Sequence, residues 1–144
     1  MTLDRNSFAG SRGFARWMLR NSTLPIQIDP ARICVFNRSA IEVILFREAC
    51  WQVELISVFP DTVVERHRHL HVDSCELALG GGLVADVDGV PLKSFSRGPI
   101  DANLVRVGVG AWHGGRSGPK GIVWLSFQHW IDREPGWISE DWET

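Results

Sequence analysis

The nine residues ERHRHLHVD, numbered 65–73, place three histidines at alternate positions, His67, His69 and His71. In an extended strand, alternate side chains point to the same face of the sheet. Two imidazoles at positions i and i+2 of a strand can bind one metal ion from the same side, and neutral imidazole suits Zn, Cu, Fe and Ni. The stretch therefore predicts a β-strand that supplies part of a metal site.

The segments around this stretch show the pattern of short β-strands. Apolar runs rich in β-branched and aromatic residues recur at roughly 8–12-residue spacing with turn residues between them. They lie at 33–36, 41–46, 51–59, 103–112 and 121–130. Asp88-Gly89 marks a tight hairpin turn between two strands within residues 81–95. The glycine-rich residues 114–121 are typical of a connection between strands. One helical pattern runs from Ser11 to Arg20, with Phe14, Trp17 and Met18 on its apolar face. We expect an all-β sandwich or barrel with a short N-terminal helix.

Length and composition narrow the protein class. The 144 residues fit one domain, comprising an N-terminal arm and helix (1–31), a barrel (32–130) and a C-terminal tail (131–144). A net charge of -2 gives no electrostatic reason to expect nucleic-acid binding. No apolar run is long enough to cross a membrane, and three cysteines without a CxxC pair favour reduced thiols in the cytoplasm. We expect the tail to be a solvated terminus anchored by its tryptophans; the alternatives are packing on the sheet or contact with a partner subunit.

Two further features complete a candidate site. His113 follows the apolar residues 104–112, and two acids, Asp73 and Glu76, follow the histidine strand. A carboxylate beside the histidine pair and a distant histidine on another strand can be brought together when a small β-barrel closes. The residue pattern alone allows either Asp73 or Glu76 to be the carboxylate ligand beside the histidines.

The order of these residues resembles the two motifs of the cupin superfamily. The first family motif reads G-x5-H-x-H-x(3,4)-E-x6-G. In residues 61–80, His67, His69 and Gly80 match it, while Asp61 replaces the first glycine and Asp73 replaces the glutamate. The second motif reads G-x5-P-x-G-x2-H-x3-N; here Gly110 and His113 match, while Gly108 and Ser117 replace the proline and the asparagine. The resemblance covers roughly residues 40–130. It implies a double-stranded β-helix, the cupin-like jelly-roll barrel.

The resemblance also implies a ligand set. In that family the motif histidines and glutamate hold a divalent metal ion, so His67, His69 and His113 are the histidine ligands here. Asp73 has the family spacing but a shorter side chain, whereas Glu76 is the right residue type after a longer turn, and we favour Glu76. An alternative register uses His69, His71 and Glu76. In the favoured register His71 contacts a substrate or supports the ligands, and Trp112 and Arg116 are further ligand-binding candidates.

These features lead to one preferred function and two alternatives. We expect a small metal-binding barrel, with Fe, Mn, Ni or Zn as the ion, that acts as an oxygenase or isomerase on a small polar or anionic organic molecule. A binding or sensing module without turnover is the first alternative. A metal-free structural or interaction protein is the second. By resemblance, and from the apolar face of the N-terminal helix, we also expect a homodimer.

Overall fold

The computed structural model describes residues 2–21, 29–36, 38–88, 90–92 and 103–144, with backbone alone at 82–85 and 90–92. These residues form one α-helix and nine β-strands. They are α1 (Gly10–Asn21), β1 (Ile33–Phe36), β2 (Ala40–Glu48), β3 (Trp51–Val58), β4 (Val63–His69), β5 (Val72–Val87), β6 (Val90–Leu92), β7 (Val105–Val107), β8 (His113–Trp130) and β9 (Trp142–Glu143). Short 3₁₀ turns cover Pro30–Arg32 and Ile138–Asp141.

The strands form a curled antiparallel sheet in which β8 is the common partner. The sheet runs in the order β1-β2-β3-β8-β4-β9, and β5 pairs with β6, β7 and β8. The second half of β8 lies between β3 and β5, and its first half pairs with β4 and with the end of β5. This arrangement confirms the expected all-β double-stranded β-helix with one short N-terminal helix.

Helix α1 covers the outer face of the sheet. Its residues Phe14, Ala15 and Met18 are buried against the sheet. Phe14 packs against Trp51 with ring centroids 5.1 Å apart. The side chain of Asp73, on β5, accepts a hydrogen bond from the Ser11 N–H in the first turn of the helix. The helix is therefore capped by a residue from the sheet, a contact that satisfies one of its free N–H groups.

Two segments differ from the sequence expectations. The glycine-rich residues 114–121 lie inside β8, because β4 and β5 supply hydrogen-bond partners on both of its sides. The C-terminal tail packs on the sheet instead of ending in solvent, and β9 pairs with β4. The hairpin at Asp88 is confirmed, with Val87 opposite Val90; residues 93–95, expected in its second strand, lie outside the described part.

The sheet has an unusual distribution of polarity. Gln52 and Glu54 on β3 and Gln128 on β8 are fully buried and face the barrel interior, while the apolar residues that alternate with them pack outward under α1. Simple alternation would place the polar residues in water. Here the helix covers the outer face, so both faces of these strands are buried.

Candidate metal centre

Three histidines meet inside the barrel. His67 and His69 lie in the second half of β4, and His113 begins β8 directly opposite His67. One ring nitrogen from each lies within 4.8 Å of the others. Antiparallel pairing of β4 with β8 therefore joins residues that are more than forty positions apart in the chain.

Hydrogen bonds set the orientation of two of these rings. His67 Nδ1–H donates to the carbonyl oxygen of Glu65 at 2.7 Å, and His113 Nδ1–H donates to that of Ala111 at 2.9 Å. Because a carbonyl only accepts, Nδ1 carries the proton and the lone pair of a neutral ring is on Nε2. Backbone carbonyls orient metal-binding histidines in this way.

The burial of the cluster keeps the three imidazoles neutral. Burial, with the charge of His113 as a smaller cause, lowers the pKa of His67 to about 4. The same causes lower the pKa of His69 to about 2, and burial also lowers the pKa of His113. Only neutral imidazole has a free lone pair for a metal. The donor set therefore fits a transition-metal ion at neutral pH.

The two candidate acids lie on opposite faces of β5. Glu76 lines the same cavity as the histidines, accepts a hydrogen bond from Ser126 Oγ at 3.0 Å and has its pKa raised to about 7 by burial. It lies outside the group of nitrogens that come within 4.8 Å of one another. Asp73 does not reach the cavity, because its carboxylate binds Arg106 Nε at 2.8 Å and the first turn of α1.

The other three candidates do not line the cavity. His71 is 41% exposed at its side chain, and its Nδ1 lies 2.7 Å from Asp141 Oδ1. The Arg68 guanidinium lies over the indole of Trp112, with the Arg68 Cζ atom 4.9 Å from the ring centroid. Arg116 is exposed. These side chains follow the outer surface or the rim, so the structure separates them from the histidine cluster.

Sequence reasoning missed several groups inside the barrel. Glu42 on β2 lines the cavity beside Glu76 and the histidines, and burial raises its pKa to about 7. Trp142, from the C-terminal tail, stacks on His67 with ring centroids 3.7 Å apart and planes 20° apart. The available signal was the run of alternating polar residues within the apolar strands 51–58 and 122–130, which marks a polar face that the barrel can enclose.

A buried polar network supports Glu76. Gln128 Nε2 donates to Ser126 Oγ at 3.2 Å and to Glu54 Oε2 at 2.7 Å. Gln128 Oε1 accepts from Gln52 Nε2 at 3.0 Å. Because Glu54, Ser126 and Glu76 are paired residues on three neighbouring strands, this network fixes the side chains along one row of the inner wall.

Solved structures share this architecture at low sequence identity. No family model and no curated protein matches the chain. An RmlC-like cupin from Shewanella frigidimarina NCIMB 400 aligns with a TM-score of 0.60 at 17% identity, over 78% of this chain and 93% of the other. The chain has the cupin fold. KdgF from Halomonas sp. aligns with this chain at a TM-score of 0.57 and 14% identity, over 75% of this chain and 96% of its own.

A third structural neighbour was solved with a small organic molecule. A PAC13 variant from Streptomyces, determined with uridine, has a TM-score of 0.56 and 10% identity over 83% of this chain and 89% of its own. Identities this low establish the shared fold alone. Within the described residues, the chain has no helix long and apolar enough to cross a membrane.

Proposed function

We propose that this chain is a small metal-binding cupin in which His67, His69 and His113 hold a divalent transition-metal ion beside a small-molecule cavity. The observation that carries the proposal is the pair of Nδ1–H bonds to carbonyls, which leaves Nε2 of His67 and His113 as the metal-binding atoms. The ion would be Fe, Mn, Ni or Zn: imidazole suits Fe, Ni and Zn, and Mn also takes carboxylate oxygens such as those of Glu76 in the same cavity.

The cavity is suited to a reaction as well as to binding. When bound, such an ion polarises an oxygen of a substrate or of water. Glu76, with a pKa near neutrality and a hydrogen bond that orients it, is the residue we propose to give or take a proton. Trp142, from the tail, stacks on His67 and covers one face of that ring. Because Glu76 can transfer a proton, we propose an enzyme of the oxygenase or isomerase type in preference to a binding module.

Metal analysis tests the proposed centre. Protein purified without a chelator or a metal-binding tag is expected to hold one ion per chain. His67→Ala and His113→Ala should each weaken metal affinity by more than about 100-fold, because even loss of a supporting residue costs about 10–100-fold. His71→Ala is the matched control and should keep the ion, since its ring points away from the cluster. The assignment would be contradicted if both His67→Ala and His113→Ala kept the metal ion, or if His71→Ala lost it.

We also propose that the chain forms a homodimer through β1. This strand pairs with β2 on one side and is the end of the described sheet order, and Ile33 and Val35 are 45% and 60% exposed. An apolar edge strand of this kind readily pairs with another copy. Light scattering should give twice the chain mass of 16.2 kDa. Val35→Lys should give the monomer, whereas Val109→Lys, at another exposed apolar position, should not. The three cysteines are free thiols. Because thiols stay reduced in the cytoplasm, we propose that the protein works there.

A further inference from the structure

The charge of the cavity is one-sided. Its volume is about 350 Å³, within the usual size range of small-molecule sites. The acidic side chains that line it are Glu42, Glu65, Glu76 and Asp86. No lysine or arginine from the described part of the chain lines it. Arg116, one of the ligand-binding candidates from the sequence, is exposed and does not line the cavity, so it offers no charge there for the anionic kind of ligand.

Two of these acids are built into the inner wall. Glu42 is 3% exposed, and its Oε2 accepts a hydrogen bond from Ser139 Oγ at 2.9 Å. Glu76 accepts one from Ser126 at Oε1; Ser74 and Trp124 also lie close to this carboxyl group, but neither meets its buried Oε2 with hydrogen-bond geometry. A buried acceptor without a partner costs free energy that a ligand donor recovers on binding. The wall therefore presents acceptors that a ligand with donor groups can satisfy.

The remaining wall is apolar and aromatic. Ile56, Val58, Val107 and Ile122 line the cavity together with the rings of Trp124 and Trp142. Such surfaces cover the carbon faces of a ligand, while the carboxyl groups meet its polar edges. This division matches a molecule with apolar ring faces and polar substituents around them.

We propose that the cavity binds an uncharged, hydroxyl-rich small molecule of the sugar or polyol class, whose hydroxyls donate to Glu42 and Glu76. The inference rests on the metal centre proposed above and deepens it. The ion would attract an anion that the carboxyl groups repel, and it would repel a cation that the carboxyl groups attract. These opposing terms offset each other, so uncharged donors satisfy the acceptors without the cost of removing a charged group from water.

A matched sugar panel tests this preference. Glucose and galactose, with their uronic acids and amino sugars as anionic and cationic counterparts, are titrated calorimetrically into the metal-loaded protein at neutral pH. At least one uncharged sugar should bind, and its charged counterparts should bind at least about tenfold more weakly, as like-charge contacts do. A uronic acid or amino sugar that binds as well as its parent, or failure of both uncharged sugars to bind, would overturn the proposal.

Glutamine variants identify the groups responsible. Glu42→Gln and Glu76→Gln keep the size of the side chain and remove its charge, so each should reduce the discrimination against uronic acids by about tenfold. Glu134→Gln, at an exposed position outside the cavity, should leave it unchanged. Unchanged discrimination in both cavity variants, each shown to be folded by circular dichroism, would contradict the role of the carboxyl groups.

The metal-free protein separates this inference from the metal centre. Without the ion the carboxyl groups still oppose anions, so rejection of uronic acids should persist while amino sugars gain affinity. If the metal proposal alone fails, the chain binds no ion and still rejects uronic acids. If the ligand inference alone fails, the ion binds and uronic acids bind as well as their parent sugars.

Discussion

Asp73 and Glu76 show how residues three positions apart take different roles. β5 is regularly paired between them, so they lie on opposite faces. Asp73 lies under the start of α1, and Glu76 lies in the cavity. The sequence identified both as candidates, but spacing alone could not choose, because the choice depends on which face of β5 the barrel encloses.

Asp73→Asn separates a structural role from a metal-binding one. The change removes the charge that pairs with Arg106 and weakens the bond from Ser11 at the helix N-terminus. We expect a loss of about 1–2 kcal/mol in the free energy of unfolding, measured by denaturant titration, with metal content unchanged. Asp132→Asn, at an exposed site, should cost far less. A fall in metal content in folded Asp73→Asn would return this residue to the ligand set.

Glu54 makes the stability depend on pH. It is fully buried, and burial, with the nearby charge of Glu42, raises its pKa from 4.5 to about 8. Between those values the folded state holds a proton that the unfolded state has lost, so stability falls as pH rises, by up to about 1.4 kcal/mol per pH unit. Glu54→Gln should flatten this decline in denaturant titrations across that window, whereas Glu134→Gln should not. Parallel profiles for wild type and Glu54→Gln would show that Glu54 does not hold the proton.

At the scale of elements, the barrel closes because β5 and β8 are long and irregular. The β5–β8 pairing shifts register near Gly80 and Gly81, and Gly121 follows on β8 with φ +70°. Sequence composition indicated a connection at residues 114–121, since glycine is rare within strands. Neighbouring strands override that local preference by pairing with both sides of β8.

Gly121→Ala tests whether the backbone conformation at this position of β8 requires glycine. A Cβ at Gly121 would lie 2.5 Å from the carbonyl oxygen of Val58, and the positive φ adds strain for any other residue. We expect a loss of about 2 kcal/mol or more in the free energy of unfolding. Gly108→Ala, where no atom lies within 4 Å of the added Cβ, is the matched control. Equal stability of the two variants would show that the bend does not require glycine.

At the scale of the whole molecule, the candidate site joins separate parts of the chain. His67 and His69 come from β4, His113 from β8, and Trp142 from the tail that pairs with β4. An ion bound at the three histidines would therefore hold both strands in place. Any ligand that binds only the folded state stabilises it by mass action.

Thermal unfolding measures this linkage. Adding the preferred ion at about 100 times its Kd should stabilise the wild type by about 2.7 kcal/mol and raise its Tm. The same addition to His113→Ala should leave its Tm unchanged, because one of the three ligands is missing. A similar rise in both proteins would place the stabilising ion elsewhere.

The sequence by itself determined the strand pattern, the short helix, and the alternation that puts His67 and His69 on one face, because these depend on local periodicity. It did not determine which face was enclosed. That choice was made by α1, which covers the outer side of β5 and β8, packs against Trp51 of β3, and leaves Gln52, Glu54 and Gln128 inside. The pairing of β4 with β8 then brought His113 to His67, and the returning tail placed Trp142 over that ring. Contacts between residues so far apart in the chain arise only when the sheet curls, so only the tertiary structure decided them.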